Sequence, residues 1–380
     1  MGSPRVMFVA GDPSGDIHAS HVIAALRTRE PGVECCGVGG PAMVAAGFEP
    51  LLPFEPFNRM GFLEVVRTLP FFLRARRLLV QRMREQRPDA LVLVDYASFN
   101  MRLLRPARKL GVPVVWYIAP KVWAWKAWRA KVLGNSAASI GVIFPFETRC
   151  FEHFPARTVF VGNPLVEALE RRDAGIRPDL LSPKPSTFCR LAILPGSRRQ
   201  EVERMLTPMV GAYNLLRRTY RQLRATVSVV PWLPRELYQA AGQTSSVELF
   251  EGPLEEMLET ADVALVTSGT ATLETALAGV PHVIAYRTSA ISYRIYKILV
   301  RTQFIGLPNI VAGRSLLPEC IQEQVNAPTL ALELDRFLAS RSTYCDTVRQ
   351  LLALRHVLGS KRPSEEVAGL VMDAAGRKKE

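Results

Sequence analysis

The sequence predicts an α/β protein made of two doubly wound domains that face each other across a cleft. Short apolar runs alternate with longer helical patterns, and each run is apolar throughout, as parallel strands covered on both faces require. The chain has 380 residues, more than one core ordinarily holds, so we expect two domains of similar size. This alternation of strands and helices is typical of Rossmann-like sheets.

Five apolar runs predict the strands of the first domain, which we place at residues 1–170. The first run leads into a helical pattern that carries Val22, Ile23 and Leu26. The second run ends in an acidic residue and leads into a basic helical stretch. In chain order the runs are RVMFVAG, DALVLVD, VPVVWYIAP, SIGVIFPF and TVFVGNP.

A polar, proline-rich stretch at 171–190 predicts the linker into the second domain. We place that domain at residues 171–345, and we expect the helices of 346–380 to cross back to the first domain. The pattern of strands restarts after the linker. Its runs are RLAILPGS, RATVSVVP, VELFEG, DVALVTSG and PHVIAYR.

The charge and the cysteine content limit the class of partner and the compartment. A formal net charge of +13 favours anionic partners, either phosphorylated small molecules or an acidic membrane surface, with a merely solubilising surface as the alternative. Nucleic acid is not expected, since the sequence has no nucleic-acid-binding motif and no zinc-ligand spacing. The six cysteines form no C-x-x-C pair and no apolar run could span a bilayer, so we predict a cytoplasmic protein with reduced thiols and at most peripheral membrane contact.

One strand-to-helix turn of the second domain, in VALVTSGTATLETALAGVP, predicts a nucleotide site. The small residues Ser268, Gly269 and Thr270 allow the N–H groups at a helix start to approach a diphosphate. Glu274 follows on the helix, where its carboxylate can accept hydrogen bonds from two ribose hydroxyls. An ordinary turn with an exposed glutamate is the alternative interpretation.

A second turn, LPGSRR, places Gly196, Ser197 and Arg198 directly after an apolar strand. The unpaired N–H groups at a helix start favour an anion, and an arginine can pair with a phosphate through two parallel hydrogen bonds. Together the two turns resemble the nucleotide-sugar site of two-domain glycosyltransferases of the B-type fold.

Along nearly its whole length the chain resembles the lipid-A-disaccharide synthase family. The aromatic APKVWAWK stretch and the pair of LPGSR and SGTATLE are the most specific motifs. The matching stretches are GDPSGD, GVGGPAM, MGFLEVV, DYASFN, YIAPKVWAWK, FPFE, VGNPL, LPGSRRQEV, SGTATLE, LPNIV and LPECIQ.

This resemblance implies an inverting transfer from a UDP-linked, diacylated glucosamine donor to a diacylated glucosamine 1-phosphate acceptor, with release of UDP. It implies no metal and no other cofactor. Because both substrates carry acyl chains, it also implies a peripheral position on the cytoplasmic face of the inner membrane, and it leaves a homodimer open.

Three departures from the family pattern leave the acceptor open. The family usually has Glu where this chain has Asp12, Pro where it has Ala97 and His where it has Asn163. A divergent UDP-sugar glycosyltransferase with another lipid or soluble acceptor is therefore one alternative, and a UDP-N-acetylglucosamine 2-epimerase shares the two-domain plan. A non-catalytic membrane-binding module is the third, against which the retained Asp95 and Arg198 argue.

Inverting transfer needs a base that takes the proton of the acceptor hydroxyl. Asp95 is the main candidate, since it ends an apolar strand at the edge where open α/β sheets bind ligands and it matches the family's proposed catalytic aspartate. Capping of the next helix is its alternative role. Asp12 and Asp16 are the other candidate bases, although Asp16 can equally orient its helix, and Ser14 is a candidate substrate contact.

Three further residues are candidate substrate contacts. Asn100 belongs to the DYASFN motif and Asn309 to a late loop that matches the family. Trp123 either lines the predicted cleft or packs between the helices and the sheet.

The segment 61–87 is apolar and basic at once. We predict that Val66, Leu69, Phe72 and Leu73 enter the acyl boundary of a membrane while the arginines after them meet anionic headgroups. A core-packed helix with a cationic outer face is the alternative interpretation.

Overall fold

The computed structural model describes residues 3–58, 64–172, 189–239, 247–289, 293 and 302–377, without the side chains of residues 58, 64–69 and 377. The chain divides into two compact units. The first comprises Met1–Glu167 together with Ser360–Glu380, and the second comprises Ala168–Gly359.

The first unit alternates strands and helices from its first residues onward. Its elements are β1 (Arg5–Ala10), α1 (Pro13–Arg29), β2 (Glu34–Val38), α2 (Pro41–Ala45), β3 (Glu49–Pro50), α3 (Glu55–Asn58), α4 (Glu64–Gln86), β4 (Ala90–Val94), α5 (Ala97–Lys109), β5 (Val114–Tyr117), α6 (Trp128–Gly134), β6 (Ser139–Val142), a 3₁₀ helix (Pro145–Cys150), β7 (Arg157–Phe160) and α7 (Pro164–Arg171).

Seven parallel strands form one sheet in this unit, in the order β3-β2-β1-β4-β5-β6-β7. The order changes direction between β1 and β4, the switch point at which such sheets bind ligands beyond the carboxyl ends of their strands. Ala10 pairs with Val94 in the register, so the turns after these two strands lie side by side.

The apolar runs are continuous because both faces of this sheet are buried. Met7, Leu91 and Leu93 point into a core shared with α4, α5 and α6. Phe8 and Val92 point into the opposite core, which is shared with α1. Successive side chains of a strand alternate between faces, so each strand must be apolar on both.

The second unit repeats this plan. Its elements are β8 (Cys189–Leu194), α8 (Arg199–Thr219), β9 (Leu223–Ser228), β10 (Val247–Phe250), α9 (Leu254–Thr260), β11 (Val263–Thr267), α10 (Thr270–Leu277), β12 (His282–Tyr286), α11 (Leu307–Ala312), β13 (Glu319–Ile321), a 3₁₀ helix (Gln322–Gln324), α12 (Ala327–Ala339) and α13 (Arg341–Val357).

Its six parallel strands run in the order β10-β9-β8-β11-β12-β13, so the switch point lies between β8 and β11. The predicted α/β fold with two parallel sheets is confirmed. The apolar-run criterion overlooked β2, β3 and β13, because β2 contains glutamate and glycine and the other two strands have only two or three residues.

The C-terminal helices divide between the two units. α13 belongs to the second, where Arg355 donates to the carbonyl of Leu277 at 2.8 Å. The last helix, α14 (Pro363–Arg377), packs on α1, and its Glu365 pairs with Arg29 at 2.9 Å. The boundary that the sequence placed at residue 346 therefore falls inside α13, and the chain returns to the first unit at Ser360.

Candidate functional site

Asp95 stands directly after β4 in an unusual backbone conformation. Its φ is +41° and that of Tyr96 is +42°, and two consecutive non-glycine residues in the left-handed region are strained. The Asp95 N–H donates to the carbonyl of Tyr117 at 2.9 Å. The Tyr96 hydroxyl donates to the carbonyl of Phe57, also at 2.9 Å. These contacts hold the turn in place at the carboxyl edge of the first sheet.

Asn100, on the first turns of α5, is fully buried beneath Asp95. Its Nδ2 lies 3.3, 3.2 and 2.9 Å from the carbonyl oxygens of Val9, Val94 and Asp95. This side chain therefore ties the ends of β1 and β4 together and fixes the Asp95 backbone. The sequence predicts Asn100 as a substrate contact, and in the structure its Nδ2 contacts, among the described residues, only the backbone carbonyls of these strand ends.

The environment of Asp95 suits a proton acceptor. Burial, together with the nearby Asp12 carboxylate, raises the pKa of Asp95 to about 6 against the opposing effect of Lys121. A base near this pKa is mostly ionised at neutral pH and still accepts a proton readily.

The other two acidic candidates are bound into the fold. Asp12 caps α1 by accepting from the N–H of Gly15 at 3.2 Å, and burial raises its pKa. Asp16 is buried, and its carboxylate accepts from three N–H groups at the start of α2 at 2.8 to 3.0 Å. Asp16 thus holds α2 in place, the structural role that the sequence left open for it.

Ser14 is paired with a histidine to which the sequence patterns did not point. The Ser14 hydroxyl lies 3.1 Å from Nε2 of His18, one turn further along α1. Burial, together with the nearby His21, lowers the pKa of His18 to about 4, so the imidazole is neutral at physiological pH. The four-residue spacing on a helix was the signal that could have revealed this pair.

Trp123 is tied to another residue that the sequence did not single out. Its indole N–H donates to Oε1 of Glu147 at 2.9 Å, and its ring packs edge-on against Phe146. Glu147 is buried and also accepts from the backbone N–H groups of Ile143 and Phe144 at 3.2 and 3.1 Å. Burial raises the pKa of Glu147 to about 7.

Two of the three departures from the family pattern have a local structural account. Asn163 is buried, donates to the carbonyl of Ile143 at 3.1 Å and accepts from the N–H of Leu165 at 3.0 Å, so it caps the start of α7. Ala97 is the first residue of α5, a helix position that accepts Pro and Ala alike.

The membrane residues predicted on α4 fall into different surroundings. Phe72 packs at 5.6 Å from the ring of Phe57 and lies against the core, whereas Leu73 is 41% exposed. The side chains of Val66 and Leu69 lie outside the described part of the chain. Among the described helices, none is long and apolar enough to cross a bilayer.

In the second unit, the turn after β8 is held by a glutamate. The Glu201 carboxylate accepts from the N–H groups of Ser197 and Arg198 at 3.0 and 3.2 Å. It also pairs with the Arg198 guanidinium at 2.7 Å, although the arginine side chain is 81% exposed. Gly196 has φ of +117°, and a Cβ there would meet the Glu201 side chain. The predicted anion-binding turn is thus already filled by a carboxylate.

The turn after β11 is open in front of its helix. Ser268 donates to the carbonyl of Ile305 at 2.9 Å, and Thr270 and Gly269 are exposed. A Cβ on Gly269 would meet no atom within 4 Å. This leaves room for a ligand against the N–H groups at the start of α10.

Glu274 lies half-buried on the same helix. Burial, together with the Glu255 carboxylate on α9, raises the pKa of Glu274 to about 7. A half-buried carboxylate with a raised pKa gains most from hydrogen-bond donors brought by a ligand.

Asn309 is fully buried, and its side chain forms hydrogen bonds within its own loop. It donates to the carbonyl of Leu317 and to Glu319, and accepts from the N–H groups of Leu316 and Leu317 at 2.8 and 3.0 Å. Asn309, like Asn100, therefore shapes the edge of its sheet. Its side chain does not face solvent.

The sequence patterns also overlooked Trp232, which follows β9. Its ring is 70% exposed, and its indole N–H donates to the carbonyl of Ser197 at 2.9 Å. An exposed aromatic ring therefore stands beside the predicted diphosphate turn. Across the described residues, no three His, Cys, Asp or Glu side chains are grouped closely enough to hold a metal ion.

A family description and several relatives match the chain over nearly its full length. The model of the family described as Lipid-A-disaccharide synthetase matches residues 6–365. A lipid-A-disaccharide synthase of Anaeromyxobacter dehalogenans strain 2CP-1 is 37% identical, over 97% of this chain and 99% of its own. The synthase of Geobacter sulfurreducens is 34% identical, over 99% of this chain and 98% of its own.

Solved structures with similar folds are distant in sequence. MurG of Acinetobacter baumannii has a TM-score of 0.59 and 18% identity, covering 98% of this chain and 99% of its own. The calicheamicin glycosyltransferase CalG4 has a TM-score of 0.60 and 17% identity, with 99% of both chains covered. The S. aureus MnaA–UDP co-structure has a TM-score of 0.64 and 14% identity, over 96% and 94%. At these identities the likeness concerns the fold, which is that of B-type glycosyltransferases.

Proposed function

The chain belongs to the lipid-A-disaccharide synthase family, and from that premise we propose that it joins UDP-2,3-diacylglucosamine to 2,3-diacylglucosamine 1-phosphate. Membership makes it a glycosyltransferase of lipid A disaccharide synthesis that uses a UDP-linked donor. The products in this proposal are the lipid A disaccharide 1-phosphate and UDP, and the anomeric carbon inverts to form a β-1,6 bond.

The acceptor half of the proposal rests on one observation, the Asp95 carboxylate held at the switch point of the first sheet with a pKa of about 6. In the proposed step, the 6-hydroxyl oxygen of the acceptor attacks the anomeric carbon of the donor while Asp95 takes the hydroxyl proton. The bond from the anomeric carbon to the diphosphate breaks, and its electron pair leaves with UDP.

The donor half rests on the two turns at the switch point of the second sheet. Arg198 and the N–H groups at the start of α10 would stabilise the diphosphate as negative charge develops on the leaving oxygen. Glu274 would accept hydrogen bonds from the ribose hydroxyls, which also favours its ionised form.

The Glu201 carboxylate limits how a diphosphate can bind at this donor site. Its carboxylate holds the N–H groups of Ser197 and Arg198 that a diphosphate would otherwise take. Two anions cannot share these donors, so the diphosphate either displaces the Glu201 carboxylate or contacts only the exposed guanidinium of Arg198. In both cases Glu201 orients the turn before the nucleotide arrives.

The substrates place the enzyme at a membrane surface. Both carry acyl chains, and Leu73 on α4 is exposed beside a run of arginines. We therefore assign the enzyme to the cytoplasmic face of the inner membrane as a peripheral protein. Phe72 packs against the core, so Leu73, Val66 and Leu69 remain the proposed contacts on this helix.

Mass spectrometry of the product tests the proposal directly. The purified protein should convert the two acylated monosaccharides into one disaccharide 1-phosphate and release one UDP for each bond formed. UDP release from the donor alone, without acceptor, is the control for simple hydrolysis. A folded protein that binds UDP but forms no disaccharide, or that accepts only a deacylated acceptor, would contradict the proposed substrate pair.

A further inference from the structure

The positive charge of this protein is concentrated in one stretch of the sequence. Residues 64–146 contain fifteen Lys and Arg but four Asp and Glu, so they carry +11 of the chain's net +13. The rest of the chain is close to neutral. Between Asp95 and Glu147 there is no acidic residue at all. A charge that merely solubilised the protein would not need this concentration.

This stretch builds the helical layer on one face of the first sheet. α4, α5 and α6 pack on the same core beneath the sheet. On α5, the exposed outer face carries Arg102, Arg105, Arg108 and Lys109. Among the ion pairs of the described residues, none involves these four side chains. The opposite layer is charge-compensated, as in the pairs of Arg29 with Glu365 and of Arg157 with Asp373.

Two tryptophan side chains of this cationic layer are exposed to solvent. Trp125 is 43% exposed and Trp128 is 60% exposed, and Val132 lies one turn beyond Trp128 on the outer side of α6. The Lys126 ammonium lies 4.2 Å from the Trp125 ring centroid, and the Arg129 guanidinium lies 5.8 Å from both rings. We call these five residues the tryptophan patch.

Buried neighbours in the same segment fix the position of the tryptophan patch. Val122, Ala130 and Leu133 point into the core, and Trp123 is hydrogen-bonded to Glu147. The segment is therefore fixed in place, and the outward direction of Trp125 and Trp128 follows from the helical and turn geometry. Large aromatic rings left in water beside cations are the pattern of a membrane–water interface, where the ring enters the headgroup level.

The segment that carries the patch leads away from the proposed acceptor site. It begins just after β5 with Lys121, four residues before Trp125, and the Lys121 ammonium lowers the pKa values of both Asp95 and Glu147.

We propose that the tryptophan patch docks on an anionic phospholipid membrane, as an interfacial anchor separate from the apolar residues of α4. The two indole rings enter the headgroup region, while Lys126, Arg129 and the arginines of α5 meet lipid phosphates. Binding to vesicles needs no turnover, so this inference stands or falls independently of the proposed reaction.

Flotation with vesicles made of equal parts phosphatidylethanolamine and phosphatidylglycerol tests the proposal. The W125A/W128A protein should lose about tenfold or more of its vesicle affinity, and added salt should weaken what remains. The matched control is W232A, which removes an even more exposed tryptophan from the second unit and should bind vesicles like the wild type. Wild-type vesicle affinity in W125A/W128A would overturn the proposal, as would binding of this patch to an RNA oligonucleotide without binding to vesicles.

A second measurement separates docking from misfolding. In the W232F protein every remaining tryptophan belongs to the first unit. Vesicles that contain a brominated phosphatidylcholine should quench its emission. The added substitutions W125F and W128F should remove that quenching, because Trp116 is buried and Trp123 half-buried. Unquenched emission from vesicle-bound W232F protein would show that the patch does not enter the bilayer.

Discussion

The switch points of the two sheets occupy the same place in the same strand order, yet they carry opposite chemistry. In the first unit the turns after β1 and β4 present the carboxylates of Asp12 and Asp95, and burial raises both pKa values. In the second unit the turn after β8 presents the exposed Arg198 while Glu201 holds its N–H groups, and the turn after β11 presents small residues at the start of α10.

In the proposed reaction, this difference lets one topology serve both halves of the transfer. A site lined by carboxylates can accept a proton but repels a diphosphate, and a cationic site stabilises a diphosphate but would make a carboxylate a weaker base. The fold supplies the position beyond the strand ends, and the residues of each turn decide the chemistry. Each of the following substitutions removes one side chain from one of these two switch-point sites.

Asp95→Asn should have the largest effect. Removal of a general base typically costs 10²–10⁴-fold in turnover, so kcat should fall by roughly that factor. UDP affinity, measured by calorimetry, should stay unchanged because Asp95 belongs to the first unit. In the wild type kcat should rise with pH through about 6, as Asp95 becomes ionised, and the residual rate of the variant should lack this rise. A loss below about tenfold would move the base role to Asp12.

Arg198→Ala should weaken UDP binding without changing the fold. Loss of a hydrogen bond between charged groups costs about 1.5–3 kcal/mol, which corresponds to roughly 10- to 150-fold in affinity. Arg199→Ala is the matched control, since Arg199 stands next in the chain and pairs with Glu203. Equal UDP affinities of the two variants would remove Arg198 from the donor site.

Asn100→Ala tests whether the first switch point depends on a buried positioning residue. The Asp95 backbone would lose its hydrogen bond to Asn100, so kcat should fall about tenfold because a small displacement of a catalytic group is costly. The KM for donor should change much less than kcat. A thermal melt must accompany the assay, and a folded variant with wild-type kcat would show that Asp95 holds its conformation without Asn100.

Glu274→Gln should have the smallest effect and the clearest pH signature. The pKa of Glu274 is raised to about 7 in the free protein, and ribose hydroxyls bind its ionised form, so UDP binding should release protons and strengthen as pH rises through 7. The variant should bind UDP roughly two- to tenfold more weakly above that pH, as expected for one ordinary hydrogen bond. Calorimetry from pH 6 to 8 compares both proteins, and parallel curves would exclude Glu274 from the ribose contact.

Several candidate site residues could be proposed from the sequence because their signals are local. A strand that leads into a small-residue turn and a helix predicts an anion site from backbone chemistry alone, as at Ser268 and Gly269. Asp95 could be proposed as the base because it ends an apolar run. The contacts of Asn100 and Glu201 could not be predicted from the sequence, because each depends on backbone groups that folding brings near. Asn100 meets the carbonyl groups at the ends of β1 and β4, and Glu201 meets the N–H group of Ser197.

The sequence by itself determined the α/β class, the positions of the turns after β1, β4, β8 and β11, and the concentration of positive charge in residues 64–146. These follow from periodicity and composition, which act over a few residues at a time. Only the tertiary structure decided that the side chains of Asp16 and Asn309 hydrogen-bond to backbone groups of their own unit. It also decided that Phe72 faces the core while Leu73 faces solvent. The exposure of Trp125 and Trp128 is likewise a result of the tertiary structure. Burial and hydrogen-bond partners depend on segments distant in the chain, and no local pattern encodes which of them will meet.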